Sequence, residues 1–222
     1  MHTTLIQPAE LKALLQSGAN VRVFDVSFDL MRPEQGNATY LETHLAGALH
    51  ADINLVLSAK DPREALNGGR HPLPRRERFA EWLASQGVDD ATQVVVYDRN
   101  GMNYCGRLWW MLKWCGHEAV AVLDGGLQAW VAEGGAVSSG TEPAPSPRQF
   151  SLRAPLARLV YTADVAAHLD DAAAQTLIDA RATPRFRGDT EPLDPVAGHI
   201  PGALNRPYGN NLTEAGKFKP SS

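Results

Sequence analysis

The chain has 222 residues, a formal net charge of -4 and an isoelectric point near 6.0, with 44% apolar and 21% charged residues. That balance excludes the clustered Lys and Arg that nucleic acid or an anionic membrane surface would need, and the length suits two domains. No run approaches the roughly 18 apolar residues of a membrane span, and MHTTLIQPAELKALL at the start has no basic stretch before a long apolar core, so the expectation is a cytoplasmic protein that meets small molecules or proteins.

In chain order, VRVFD (21–25), QVVVYD (93–98) and AVAVLD (119–124) are short β-branched runs, each ending in Asp. Helix-like stretches lie between them, RRERFAEWLASQG and NYCGRLWWMLKWCG, and each closes on a glycine, Gly87 and Gly116, as the position just past a helix prefers. This alternation predicts a parallel sheet with helices on both faces. After GGLQAWVAEGG comes SSGTEPAPSPRQF, which has no apolar period and reads as a linker. The predicted division is a first domain over 1–137, a linker over 138–160 and a second domain over 161–222.

The second half restarts the first. VRVFDVSFDLM around Asp25 matches TLIDARATPRF around Asp179, and THLAGALHADIN matches GHIPGALNRPYG. Asp25 to His44 is 19 residues and Asp179 to His199 is 20. Asp98 follows His44 by 54 residues, and the same step from His199 reaches about position 253, so the second repeat is expected to be incomplete within Met1–Ser222. The two cysteines, Cys105 and Cys115, fall on one predicted helix, about 15 Å apart at about 1.5 Å per residue. That is beyond disulfide reach, and with no CxxC pair for zinc both read as reduced core residues.

The tandem spacing, GHIPGALN, DARATPRFRG and VLDGGLQAW together resemble the two-domain rhodanese sulfurtransferases, the family of thiosulfate and 3-mercaptopyruvate sulfurtransferases. The resemblance implies an α/β fold of two tandem rhodanese-like domains, the second truncated in this chain. It implies a cysteine that takes a sulfane sulfur from thiosulfate or 3-mercaptopyruvate as a persulfide and passes it to cyanide or another thiophile, without cofactor or metal. Inward-pointing backbone N–H groups and a helix N-terminus lower the thiol's pKa and hold the persulfide anion in such a loop.

In the family that loop belongs to the C-terminal domain, and the N-terminal domain carries a degenerate copy. In VVVYDRNGMNYCG the nucleophile's place is taken by Asp98, which can satisfy a ring of N–H donors but cannot carry sulfur. No catalytic residue is therefore expected within these 222 residues, and the chain alone is expected to be inactive. Cys105, seven residues on, is expected to point away from the nest.

Arg185 matches the arginine that grips the anionic end of the donor, a task for which a guanidinium's parallel hydrogen bonds suit it. Arg181 and Asp179 are expected to form a structural pair, with Arg187 flanking. The segment GDTEPLDPVAGHI offers Asp194 where mercaptopyruvate-type members carry a second arginine, which points to a thiosulfate-type donor site. His44 and His199 open equivalent turns and read as turn-fixing residues, not metal ligands, with Pro201 and Gly202 supporting the second turn. Trp109, Trp110 and Trp114 read as packing, and Asp124–Gly125–Gly126 as a strand end, a turn and a helix start.

Two other readings stand beside the enzyme. One is a non-catalytic rhodanese-like binding or scaffold module. The other, a phosphatase on the same fold, needs an arginine six residues after a cysteine, where this chain has Met111 and Ala121. The exposed GKFKPSS stretch reads as a cleavage site, which would make a cleaved C-terminal fragment of the same protein a partner.

Overall fold

The β-branched runs do form strands, and they pair in parallel. The structure is a computed structural model that describes residues 1–169, 171 and 173–220; Ser221 and Ser222, the end of the expected cleavage site, lie outside the described residues. It divides into two compact units, the first Met1–Arg158 and the second from Leu159 onward.

The first unit runs β1 (Leu5–Ile6), α1 (Pro8–Gln16), β2 (Val21–Asp25), α2 (Glu34–Glu42), β3 (His44–Leu45), β4 (Leu49–His50), α3 (Arg76–Ser85), β5 (Gln93–Tyr97), α4 (Cys105–Trp114), β6 (Val120–Leu123), α5 (Gly126–Ala132) and β7 (Val137–Ser138). Its five-stranded sheet has the order β1-β6-β5-β2-β4, with every neighbouring pair parallel. The three central strands are those legible as β-branched runs. The two-residue edges β1 and β4, and the antiparallel pair β3–β7, are too short to carry a period.

Because successive strand residues face opposite sides, Val23, Val95, Tyr97, Ala121 and Leu123 share one face. They pack with Leu11 of α1 and Leu127 and Trp130 of α5 in one buried cluster. On the opposite face Phe24 meets Trp82 of α3, ring centroids 5.4 Å apart. Burial on both faces is what selects near-continuous apolar strands such as QVVVY, every residue of which is buried. Gly87 and Gly116 sit just past α3 and α4 with φ of 72° and 83°, as their place in the sequence predicts.

The stretch from 139 to 158 has no helix or strand, yet it lies along the first unit. Glu142 accepts the Gly47 N–H (2.9 Å), Arg148 meets Asp89 (2.6 Å), and Arg153 meets Asp90 (2.9 Å). Its backbone also donates to the first unit, from Arg148 to Ala84 O and from Arg153 to Cys115 O.

The second unit holds α6 (Thr162–Ala166), β8 (Ile178–Asp179), α7 (Thr183–Arg187), β9 (Leu204–Asn205) and a 3-10 turn (Tyr208–Asn211). Strands β8 and β9 pair in parallel, Asp179 opposite Asn205, as Asp25 pairs opposite His50 in the first unit. The matching backbone bonds recur too, Ala51 N–H to Asp25 O (2.8 Å) and Arg206 N–H to Asp179 O (3.0 Å). Ile178 and Leu204 on this pair are 64% and 62% exposed.

Candidate functional site

At the C-terminal end of β5 the chain turns through Asp98–Tyr104 into α4. Gly101 and Met102 both take left-handed backbone, φ 71° and 60°, which curls successive N–H groups inward. Asp98, fully buried, fills the ring so formed. Its Oδ1 accepts the N–H groups of Asn100 and Met102, and its Oδ2 accepts that of Tyr104, each at 2.8 Å. Burial pushes the carboxyl pKa up, while these three donors pull it back.

The start of α5 packs against the Asp98 backbone. The Asp98 carbonyl accepts the Leu127 N–H at 3.1 Å, and an added Cβ on Gly126 would stand only 2.3 Å from that carbonyl oxygen. With φ of 60°, Gly126 is required on both counts. The predicted strand end, turn and helix start at Asp124–Gly125–Gly126 thus also packs closely on the Asp98 main chain, a role that the sequence reading did not assign.

Cys105 corrects one expectation. It is the first residue of α4, and its thiol points toward the nest, 3.5 Å from Asp98 Oδ2. The error came from placing the cysteine a turn too deep in the helix. Burial and the neighbouring carboxylate raise its pKa well above the ordinary thiol value, which disfavours the thiolate. Cys115 is likewise a free buried thiol, pushed up to about 11 by burial.

Around the nest stand residues that the sequence reading passed over. Arg99 bridges Asp25 (3.2 Å), Ser27 Oγ and the Thr43 carbonyl (2.6 Å). The Tyr97 hydroxyl accepts the Leu45 N–H at 3.0 Å. Arg107 donates to the carbonyls of Leu57 (3.0 Å) and His71 (2.9 Å), and burial lowers its pKa to about 10. The DRN triplet at 98–100 was the available signal for Arg99, since an arginine directly after a strand-end Asp is within reach of the neighbouring strand's end. A cleft of about 190 Å³ opens beside this cluster, lined by Ser27, Phe28, Arg32, Thr39, Arg99 and Asn100. Asp98 does not line it.

His44 is fully buried, with Nδ1 2.8 Å from the Tyr40 carbonyl and Nε2 3.1 Å from Glu142. Both ring nitrogens are engaged in fixing its turn. His199 in the second unit has Nδ1 2.6 Å from the Phe186 carbonyl and stacks on Phe186 at 3.7 Å. Among the described residues no group of three or more His, Cys, Asp or Glu is placed to hold a metal ion. Trp110 stacks on Trp114 at 5.5 Å, and Trp109 donates to the Thr3 carbonyl, contacts internal to the first unit.

Arg185 lies in α7. Its guanidinium donates from Nε and Nη2 to Glu191 (3.2 and 2.6 Å) and from Nη2 to Asp194 (3.0 Å). Arg181 pairs with Asp179 through Nε (3.0 Å) and Nη2 (2.6 Å), the pairing expected of it, and also reaches the Gly198 carbonyl (2.6 Å). Arg187, at the end of α7, is exposed. The second unit thus presents the Arg185 guanidinium already engaged by two carboxylates. The first presents an anion nest already filled by one.

The sequence model of the rhodanese-like domain matches residues 7–133. A Pseudomonas aeruginosa protein named a probable 3-mercaptopyruvate sulfurtransferase is 39% identical over 221 residues, covering 99% of this chain and 76% of its own. The thiosulfate sulfurtransferase of Bos taurus is 36% identical over 205 residues, covering 90% of this chain and 66% of its own. Among solved structures, SseA of Escherichia coli, described as a 3-mercaptopyruvate sulfotransferase with the rhodanese fold, superposes with a TM-score of 0.81 at 28% identity. That match covers 99% of this chain and 80% of the other.

Proposed function

The chain belongs to the rhodanese family of sulfurtransferases, and from that premise we propose that it moves a sulfane sulfur from 3-mercaptopyruvate or thiosulfate to a thiophile such as cyanide, through a cysteine persulfide. The observation that carries the reading is the 39% identity running through 99% of the chain, across the unit that bears Arg185 as well as the one that bears Asp98. Arg185 is the proposed anchor for the donor's anionic end. The persulfide would not be carried by Cys105 or Cys115, both buried with raised pKa. The proposed carrier is instead a cysteine expected near position 253, where the step of 54 residues from His44 to Asp98 leads when taken from His199.

The tandem arrangement is part of the proposal, supported by the shared strand pairing at Asp25–His50 and Asp179–Asn205. The names of the relatives do not support the thiosulfate preference drawn from Asp194; they favour 3-mercaptopyruvate. Nor do they support an inactive chain or the scaffold reading, since these relatives are named as enzymes. The cytoplasm is the proposed compartment, in keeping with two free thiols.

The test is thiocyanate formation from cyanide with each donor, measured on the product of the whole reading frame. Turnover with at least one donor is expected, and Arg185→Ala is expected to raise that donor's KM by about tenfold or more. No thiocyanate with either donor refutes the activity. An unchanged KM in the variant refutes the role of Arg185.

A further inference from the structure

The chain contains two Asn-Gly steps, Asn67–Gly68 and Asn100–Gly101, and the fold treats them differently. Both asparagines are exposed. Asn67 stands in the turn between the bridged residues Ala65 and Pro74, where the Leu66 N–H donates to the Leu73 carbonyl at 2.8 Å. Its Oδ1 accepts the Leu73 N–H at 2.8 Å, a donor placed where negative charge gathers when a nucleophile adds to Cγ. The main-chain nitrogen of Gly68 is such a nucleophile, with no Cβ beside it as a shield. Among the described residues neither Gly68 nor Gly69 donates a main-chain hydrogen bond, and a Cβ on either would meet no atom within 4 Å. Rotation about the Asn67 Cα–C bond, which swings that nitrogen toward Cγ, therefore costs no hydrogen bond at either glycine. At the second step the same motion is opposed. The N–H groups of Asn100 and Met102, on either side of Gly101, are both held by Asp98 Oδ1 at 2.8 Å, with Gly101 in left-handed backbone between them.

We propose that Asn67 is a site of spontaneous covalent modification, deamidation through a succinimide, and that the Asp98 nest protects Asn100 from the same reaction. The Gly68 nitrogen bonds to Asn67 Cγ, the Cγ–Nδ2 bond breaks, and ammonia leaves with the proton that the Gly68 nitrogen gives up. Solvent water then opens the ring at one of its two carbonyls. Opening at Cγ gives aspartate. Opening at the main-chain carbonyl gives isoaspartate, which carries the chain through the side chain and lengthens the turn by one carbon. The sum is asparagine and water in, a carboxylate and ammonia out.

The experiment ages the whole chain in warm, mildly alkaline heavy-oxygen water, digests it with trypsin in ordinary water and locates the label by fragment mass spectra. Trypsin separates the two steps, Glu64–Arg70 holding Asn67 and Asn100–Arg107 holding Asn100. Asn67 is expected to take up heavy oxygen and yield isoaspartate about tenfold or more faster than Asn100, which must first give up a buried hydrogen bond to Asp98. In urea strong enough to unfold the chain the two rates are expected to converge. Gly68→Ala, whose Cβ enters open space, is expected to slow Asn67 severalfold at an unchanged melting temperature. Asn100 converting as fast as Asn67 in the folded chain, or a gap that persists in urea, overturns the proposal. So does a Gly68→Ala protein in which Asn67 converts at the parent rate.

Discussion

Replacing Asp98 tests whether the first unit's loop is organised around an anion. In Asp98→Asn the amide oxygen can keep the Asn100 and Met102 N–H groups, but its NH2 then faces the Tyr104 N–H, donor against donor. One stranded buried donor costs about 1–3 kcal/mol, and removing a carboxylate whose burial raises its pKa returns part of that. The net loss is set at about 2 kcal/mol. Asp98→Ala strands all three donors in a fully buried site and should cost about 3–5 kcal/mol. The five tryptophans, Trp82, Trp109, Trp110, Trp114 and Trp130, all lie in the first unit, so urea unfolding followed by their fluorescence reports on that unit. Expected shifts in melting temperature are about 2–4 °C per kcal/mol for a unit of this size. An Asp98→Ala protein within about 0.5 kcal/mol of the parent, or one more stable than Asp98→Asn, would show that the carboxylate does not hold the loop.

Tyr97→Phe leaves the Leu45 N–H without its acceptor at a fully buried position and should cost about 1–3 kcal/mol in the same unfolding assay; a change below about 0.5 kcal/mol counts against the hydrogen bond. His71 makes stability depend on pH, because burial and nearby Lys60 and Arg107 depress its pKa from 6.5 to about 4. Its unfolded form takes up a proton first as pH falls, so its contribution is complete above about 6.5 and is lost on acidification toward about 4. The stability gap between the parent and His71→Leu should shrink over that range, and a gap that does not vary with pH removes the argument.

What the sequence disclosed follows from length and periodicity. The strands at 21–25, 93–97 and 120–123 were legible because a strand buried on both faces needs an unbroken apolar run. β1, β3, β4 and β7, two residues each, exist only through pairing with distant strands and leave no local signal. Asp98 was legible because strand alignment fixes what stands at a strand's end. Cys105 was misjudged because its direction depends on where α4 begins, and helix starts are the least local of boundaries when no side chain caps them. The stretch 139–158 carries no period because it is held by individual ion pairs and backbone bonds, which composition does not encode.

One correspondence lies beyond sequence alignment altogether. In the first unit Arg99 joins the strand-end Asp25 to the Thr43 carbonyl, the residue before His44. In the second, Arg181 joins the strand-end Asp179 to the Gly198 carbonyl, the residue before His199. The two arginines do not align: Arg99 follows Asp98 in its loop, whereas Arg181 sits two residues after Asp179, where the first unit has Ser27. Both units set a cation between a strand-end carboxylate and a turn carbonyl, at a buried Asp25 and a partly exposed Asp179, and each draws it from a different part of the chain. Where the first unit takes that arginine from the loop that closes its nest, the second takes it from its own strand end. The second unit's turn is therefore tied to its strand end by Arg181 from β8's own end, not by an arginine in a distant loop.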